Sequence, residues 1–279
     1  MTLEVLRFAG HECVRLGDGS DAAIVSTSAG PRVIGLFRDG DDDNVLAVLP
    51  DATIDRAAGP PYRLLGGHRL WAAPEIPDVT YQPDDRRCAV TEVDDGIRVD
   101  APADGVGLIK SIEVRRSAGG WTVDHSVRNG SGAPVTLAPW AITQLPLGGR
   151  MVVPSSTSAA GPQADRALVL WPYTDPGDAR LHLTADAIVV DTVATGTRLK
   201  IGVAPGRGHA SYSRNGTVLE KHVDIEADAE YTDRGAAIQV FVCDEFCELE
   251  TLGPLRELAP DDVATHRERW IVRSAKVER

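Results

Sequence analysis

The segment Tyr62–Glu75, YRLLGGHRLWAAPE, places a histidine and an arginine directly after a double glycine. In an extended chain His68 points to one face, while Arg69 and Trp71 point to the other. Histidine ordinarily has a pKa of about 6.5, which suits it to general acid catalysis near neutral pH. The same pattern also fits a glycine bulge with Arg69 in an ion pair and Trp71 in the core. Both interpretations of this segment stay open.

A second candidate is the pair of glutamates in the segment FCELETLGP, which starts at Phe246. Glu248 and Glu250 are two residues apart, so a strand would put them on the same face. Two neighbouring carboxylates repel each other when both are ionised, which raises one pKa toward the range that suits a base. Solvated surface glutamates are the alternative interpretation.

Two further segments offer possible ligand contacts. In APWAITQL, Trp140 and Gln144 fall on one face of a predicted strand. An indole plane beside an amide suits a sugar, which has an apolar ring face and hydroxyls that form hydrogen bonds, although core packing of Trp140 fits equally well. In EKHVD, Lys221 and His222 fall on opposite faces of a strand. Either side chain is a candidate contact for an anionic substrate group, and Lys221 is the one we assign to substrate binding; a solvated edge strand is the alternative.

Patterns typical of metal or nucleophile chemistry are missing. There is no HExxH or GxSxG motif, and His11–Cys13 is too short a cluster to predict a metal site. The four cysteines lack the paired CxxC spacing of a zinc site. We therefore expect no metal centre.

Composition excludes several classes of partner. The 279 residues carry a net charge of −12, which disfavours binding to the phosphate backbone of nucleic acid. No run approaches the roughly 18 apolar residues of a membrane span. The first residues carry charges where a signal peptide needs an apolar core, so we expect a cytoplasmic protein.

The elements that must position these residues are strands. More than ten short runs rich in Val, Ile and Thr alternate with Gly, Asp, Asn and Pro, and a long amphipathic helical period is lacking. Strands without intervening helices favour a large antiparallel β-sandwich with minimal helix over a parallel sheet. The loop-like stretch 157–165 shows no change of composition around it, so we expect a single domain over residues 1–279.

Three hairpins are expected. The first joins WTVDHSV to VTLAPWAITQL through Asn129–Gly130, and the second turns at Asn215–Gly216. The third turns near Asp244–Glu245 and returns through the two glutamates.

In combination, these segments resemble the galactose mutarotase-like superfamily, which includes the aldose 1-epimerases. The similar segments are Gly66–Glu75, the asparagine turn with the strand after it in His125–Leu145, and the C-terminal Glu248–Trp270. They occur in the family's order over most of the chain. The resemblance implies a β-supersandwich fold and a small-molecule carbohydrate as ligand.

The resemblance also implies site residues and a mechanism. In the aldose epimerases a glutamate takes the proton of the anomeric hydroxyl while a histidine protonates the ring oxygen, and the opened sugar recloses on its other face. By position Glu250 matches the base and His68 the acid. Arg69, Trp71, Trp140, Gln144 and Lys221 would then bind substrate. The chemistry requires no cofactor, and the protein would be a monomer or homodimer.

The family's second histidine has no counterpart here, since Trp140 and Gln144 occupy that strand. Two functions therefore stay open. One is an aldose 1-epimerase-like isomerase, and the other is a carbohydrate-binding protein that does not turn its ligand over.

Overall fold

A computed structural model describes residues 2–17, 21–38, 43–155, 166–204 and 208–275. The stretch 157–165 lies outside these residues. In chain order the elements are β1 (Thr2–Phe8), β2 (His11–Gly17), β3 (Ala22–Ser26), β4 (Arg32–Phe37), β5 (Val48–Ile54), β6 (Tyr62–Gly66), β7 (His68–Ala73), α1 (Pro77–Thr80), β8 (Ala89–Val93), β9 (Gly96–Asp100), β10 (Leu108–Ser117), β11 (Gly120–Asn129), β12 (Val135–Leu145), β13 (Arg150–Pro154), β14 (Leu168–Leu170), β15 (Leu181–Leu183), β16 (Ala187–Asp191), β17 (Leu199–Val203), β18 (His209–Arg214), β19 (Thr217–Val223), α2 (Thr232–Gly235), β20 (Ile238–Val242), β21 (Cys247–Leu252), β22 (Arg256–Leu258) and β23 (Val263–Ser274).

Within the described ranges, the strands form two large sheets and one hairpin. The first sheet has the order β1-β2-β3-β4-β7-β12-β21-β20-β17-β14, with β22 also paired to β12. The second has the order β15-β16-β13-β18-β19-β23-β11-β10-β9-β8, and β5 pairs with β6 separately. The strand pairs are antiparallel, for example β7 with β12, β12 with β21 and β19 with β23. The predicted all-β, antiparallel fold with minimal helix is confirmed.

The main hydrophobic core lies between the two sheets and holds them together as a sandwich. Alternate residues of each strand point into it, since side chains in a strand alternate between its faces. The first sheet contributes Leu70, Leu145 and Leu249, and the second Ile112, Val123, Leu219 and Trp270. Full burial of each such side chain contributes about 1.5–3 kcal/mol. No helix of the described chain is long and apolar enough to cross a membrane.

The predicted hairpin through Asn129–Gly130 is wrong. Strand β11 pairs with β10 and β23 in the second sheet, whereas β12 pairs with β7 and β21 in the first. The Asn129 side-chain amide donates hydrogen bonds to the carbonyls of Ala133 at 2.9 Å and Leu258 at 3.0 Å. Asn129 therefore stabilises a corner where the chain crosses between sheets, and it does not form a tight turn.

The other two hairpins are confirmed. Strands β18 and β19 are joined by Asn215 at φ +49° and Gly216 at φ +77°, the two positive values that a type I′ turn needs. Strands β20 and β21 pair with Val242 opposite Cys247, so the chain turns at Asp244–Glu245. The local turn chemistry was enough to identify both.

The double glycine ends β6 and precedes β7. Gly66 and Gly67 have φ of +82° and +73°. A Cβ atom would lie 2.2 Å from the Ala47 carbonyl oxygen at Gly66 and 2.3 Å from the Val33 carbonyl oxygen at Gly67. The glycines are therefore needed for close approach to the protein's own backbone.

Candidate functional site

The candidate site lies on the outer face of the first sheet, the face turned away from the inter-sheet core. Three adjacent strands, β7, β12 and β21, supply its centre because their alternation points every second side chain outward. Trp140 lies opposite Trp71, and Ile142 lies between Arg69 and Glu250. We call this group the outer site; its residues are Arg69, Trp71, Trp140, Gln144, Lys200, Gln239, Glu248 and Glu250.

Glu250 is the central group of the outer site and is fully buried. Its Oε2 accepts hydrogen bonds from Trp140 Nε1 at 2.8 Å and Lys200 Nζ at 3.1 Å. Burial raises the pKa of Glu250 to about 7, although the positive charge of Lys200 acts in the opposite direction. A carboxyl group with such a pKa can take up and release a proton near neutral pH.

Cationic side chains of the outer site lie against tryptophan rings. Lys200 Nζ is 4.7 Å from the ring centroid of Trp140 and 4.9 Å from that of Trp171. The Arg69 guanidinium carbon lies 4.1 Å from the centroid of Trp71. Each contact is a cation–π interaction. Together they fix indole planes beside charged donors, an arrangement suited to a ligand with one apolar and one hydroxylated surface.

Several buried polar atoms in the outer site have no hydrogen-bond partner within the described part of the chain. Arg69 Nη2 donates to Glu248 Oε1 at 2.9 Å, but its Nε and Nη1 are unpartnered. Gln144 Oε1 and Nε2, Gln239 Oε1 and Glu250 Oε1 are unpartnered as well. Each such atom costs about 1–3 kcal/mol when buried without a partner. Their concentration at one place indicates a site that binds polar groups.

Aromatic side chains border the outer site. Tyr81 packs on Trp71 with ring centroids 5.2 Å apart, and its hydroxyl donates a hydrogen bond to the Glu75 carboxylate. Tyr173 is 47% exposed. Its partial burial and, to a smaller extent, the negative charge of Glu250 raise its pKa. Because Glu250 has no exposed surface, a ligand reaches it only when covering side chains move.

His68 and Lys221 lie elsewhere, and this corrects the predicted site. His68 points into the space between the sheets, where its Nε2 is 2.6 Å from His125 Nε2. Lys221 lies in the same space, with its Nζ 2.6 Å from Glu268 Oε1. The alternation of β7 that puts Arg69 on the outer face necessarily puts His68 on the inner one. His68 and Glu250 therefore do not flank one substrate.

The inner polar cluster, formed by His68, His125, Thr143, Lys221 and Glu268, is satisfied by its own contacts. Thr143 Oγ1 lies 2.9 Å from His68 Nδ1 and accepts a hydrogen bond from Lys221 Nζ at 2.8 Å. Burial lowers the pKa of His68 well below its usual value. Burial acts to raise the pKa of Glu268, but the charge of Lys221 and the three neighbouring histidines, His68, His125 and His266, together outweigh it and the pKa is lowered. The cluster joins the two sheets as a structural network.

Sequence reasoning missed two members of the outer site. Lys200 and Gln239 come from β17 and β20, which continue the first sheet beyond β21. The sequence carried a signal, because Lys200 is the only charged residue in the apolar run LKIGV. In the structure its side chain is 5% exposed. Such a lysine is almost never buried unless it is paired.

Comparison with solved structures agrees with this architecture. A putative aldose 1-epimerase from Escherichia coli K12 is similar at a TM-score of 0.58 and 17% identity, covering 98% of this chain and 100% of that one. A galactose mutarotase-like protein from Lactobacillus casei ATCC 334 is similar at a TM-score of 0.58 and 9% identity, covering 94% and 100%. The chain has the galactose mutarotase-like fold. The predicted resemblance is thereby confirmed for the fold.

A longer chain also contains a region of similar structure. A TPR-domain containing protein from Parabacteroides distasonis ATCC 8503 is similar at a TM-score of 0.63 and 14% identity. The match covers 96% of this chain but only 48% of that one, so this chain spans about half of its length. No protein-family model and no curated protein matches the sequence.

Proposed function

We propose that this protein binds a carbohydrate in the outer site and interconverts its anomers by a mutarotase-like reaction. The observation that supports this most directly is Glu250, a buried carboxyl group with a pKa of about 7 and an unpartnered Oε1. A base for the anomeric hydroxyl needs a pKa near the working pH, and Glu250 meets that condition.

The proposed reaction assigns a role to each neighbour. Glu250 Oε1 takes the proton of the anomeric hydroxyl, while Lys200 and Trp140 keep their hydrogen bonds to Oε2 and stabilise the carboxylate. The unpartnered N–H groups of Arg69 donate hydrogen bonds to the ring oxygen as negative charge develops there. The bond between the anomeric carbon and the ring oxygen breaks with its electron pair on the ring oxygen, and the aldehyde rotates while Arg69 stabilises that oxygen. The ring oxygen then attacks the other face of the aldehyde as Glu250 returns the proton to the anomeric oxygen. Gln144 and the indole ring of Trp71 orient the sugar.

The second candidate function is carbohydrate binding without turnover. It is favoured by the placement of the seven histidines, which all lie within the described residues. The hydrogen-bond partners of Glu250 are Trp140 and Lys200, and no histidine hydrogen-bonds to it within the described chain. A positioned general acid typically contributes about 10²- to 10⁴-fold to a rate. Without an imidazole, turnover is expected to be slower by a factor of this order.

Exchange NMR of anomers with a panel of aldoses separates the two functions. We expect the wild-type protein to accelerate anomerisation of at least one sugar, Glu250→Gln to abolish the acceleration, and the surface control Glu245→Gln to retain it. Thermal stabilisation by a sugar without acceleration supports binding alone, provided that Trp140→Ala removes the stabilisation. If no sugar of the panel gives either response, the proposal is wrong.

A further inference from the structure

Two groups of side chains in the described chain have the composition of a metal site. One is the inner group of His68, His125 and Glu268, and the other consists of His209, Glu220 and His222. The inner group already has a cation, because Lys221 Nζ lies 2.6 Å from Glu268 Oε1. Its histidines also contact each other and Thr143. The ligand atoms of the inner group are therefore occupied by these contacts, and Lys221 already balances the negative charge of Glu268.

The second group lies on the solvent face of the second sheet. Strand pairing places His209 directly opposite His222, and Glu220 precedes His222 by two residues on the same strand face. The two imidazole rings are parallel within 11° with centroids 4.4 Å apart. Their neighbours along β18 and β19, Ala210 and Lys221, point inward and are buried.

The ligand atoms of this group are available. The Nε2 atoms of His209 and His222 are both buried and have no hydrogen-bond partner among the residues that the structure describes. Glu220 Oε2 lies 3.6 Å from His222 Nε2, and the three potential ligand atoms all lie within 4.8 Å of one another. Arg273 Nε holds the other carboxylate oxygen, Oε1, at 2.7 Å. Oε2 is the oxygen that faces His222 Nε2, so these two potential ligand atoms already lie side by side.

We propose that His209, Glu220 and His222 form a binding site for a divalent transition-metal ion, with Zn²⁺ as the best match. Two imidazoles and one carboxylate are a ligand set that zinc accepts, with bond lengths of about 2.0–2.2 Å. Imidazole nitrogen selects Zn²⁺, Ni²⁺ or Cu²⁺ over Mg²⁺ and Ca²⁺, which prefer oxygen. The three ligand atoms, which lie within 4.8 Å of one another, would move closer together when they bind an ion at these distances.

Nearby charges set the expected strength and role of the site. Arg269 lies opposite His222 on β23, and Arg273 contacts Glu220. The positive charges of these two arginines disfavour the binding of a metal cation. Arg269 is itself paired with Asp224, which reduces this effect. Binding is therefore weaker than in a four-ligand structural zinc site. A bound ion would connect β18 to β19 and stabilise this edge of the hairpin.

Calorimetric titration of the chelator-treated, full-length protein with ZnCl₂ tests the proposal. We expect one ion per chain, with affinity lowered by at least about tenfold in His222→Ala and in His209→Asn. The matched control is His182→Ala, since His182 is a half-exposed histidine that contacts only Asp191 among the described acidic groups. This control should bind zinc as the wild type does.

A second measurement keeps the test independent of folding defects. Circular dichroism without metal shows whether each variant is folded, and Co²⁺ absorption reports the ligand field at the site. Loss of zinc binding in a folded His222→Ala or His209→Asn protein supports the proposal. The proposal is overturned if the wild type binds no zinc. It is also overturned if a double variant that combines His209→Asn and His222→Ala binds zinc as well as the wild type does. Neither outcome bears on sugar binding, since the outer site lies on the other sheet.

Discussion

Replacing Glu250 by glutamine should change how the stability of this protein depends on pH. In the folded protein burial raises the pKa of this carboxyl group from 4.5 to about 7. In the unfolded chain the carboxyl group is hydrated and titrates near 4.5. Between these values the native state therefore binds more protons than the unfolded state, and the free energy of unfolding falls as pH rises. The destabilisation is complete above the folded-state pKa.

The magnitude follows from the shift. At 1.36 kcal/mol per pKa unit, the ionised Glu250 lowers the free energy of unfolding by about 3 kcal/mol at high pH. Most of this change, about 2–3 kcal/mol, falls between about pH 5 and pH 8. Glu250→Gln removes the titrating group. The variant should therefore gain stability relative to wild type by that amount across this range, whatever constant offset comes from its altered contact with Lys200.

Urea denaturation at a series of pH values provides the measurement. Glu245→Gln is the matched control because Glu245 is exposed in the turn between β20 and β21. Its difference from wild type should stay nearly constant with pH. A constant difference between wild type and Glu250→Gln would mean that Glu250 titrates as a solvated carboxyl group, and the argument for it as a base would then fail.

Three further changes probe the outer site, the inner polar cluster and the double glycine. Trp140→Phe keeps an aromatic ring but removes the donor to Glu250 Oε2, so the pKa of Glu250 should rise further and the pH profile of stability should shift to higher pH. His68→Ala leaves buried partners unsatisfied and should lower the free energy of unfolding by about 2–4 kcal/mol in urea, with any thermal response to sugar unchanged. Gly67→Ala puts a Cβ 2.3 Å from a carbonyl oxygen of β4 and should cost more than Gly148→Ala, which has a similar positive φ but no atom within 4 Å of the added Cβ; equal melting temperatures would contradict this.

Local patterns in the sequence were sufficient to predict much of the fold. Alternation of apolar and polar residues predicted strands, and it correctly separated His68 from Arg69 and Trp71 on β7. The Asn215–Gly216 turn was identified because two positive φ values favour those residue types. The same alternation placed Glu248 and Glu250 on one face of β21. These properties depend on neighbours within a few residues.

The whole molecule decided which of its two faces a strand turns toward the core between the sheets. The sequence showed that His68 and Arg69 diverge, but only packing of the two sheets decided that His68 faces the core and Arg69 the outer site. The crossing between β11 and β12 was not predictable from Asn129–Gly130, because hairpins and corners use the same turn residues.

The roles of the most distant residues were also decided by tertiary structure. Lys200 reaches Glu250 because β17, β20 and β21 are neighbours in the first sheet, and His209 meets His222 through the register of β18 and β19. The sequence by itself determined the strands, their two faces and the residue types able to do chemistry. Strand order and sheet packing determined which of those residues share a site, because these contacts join positions that have no local relationship in the chain.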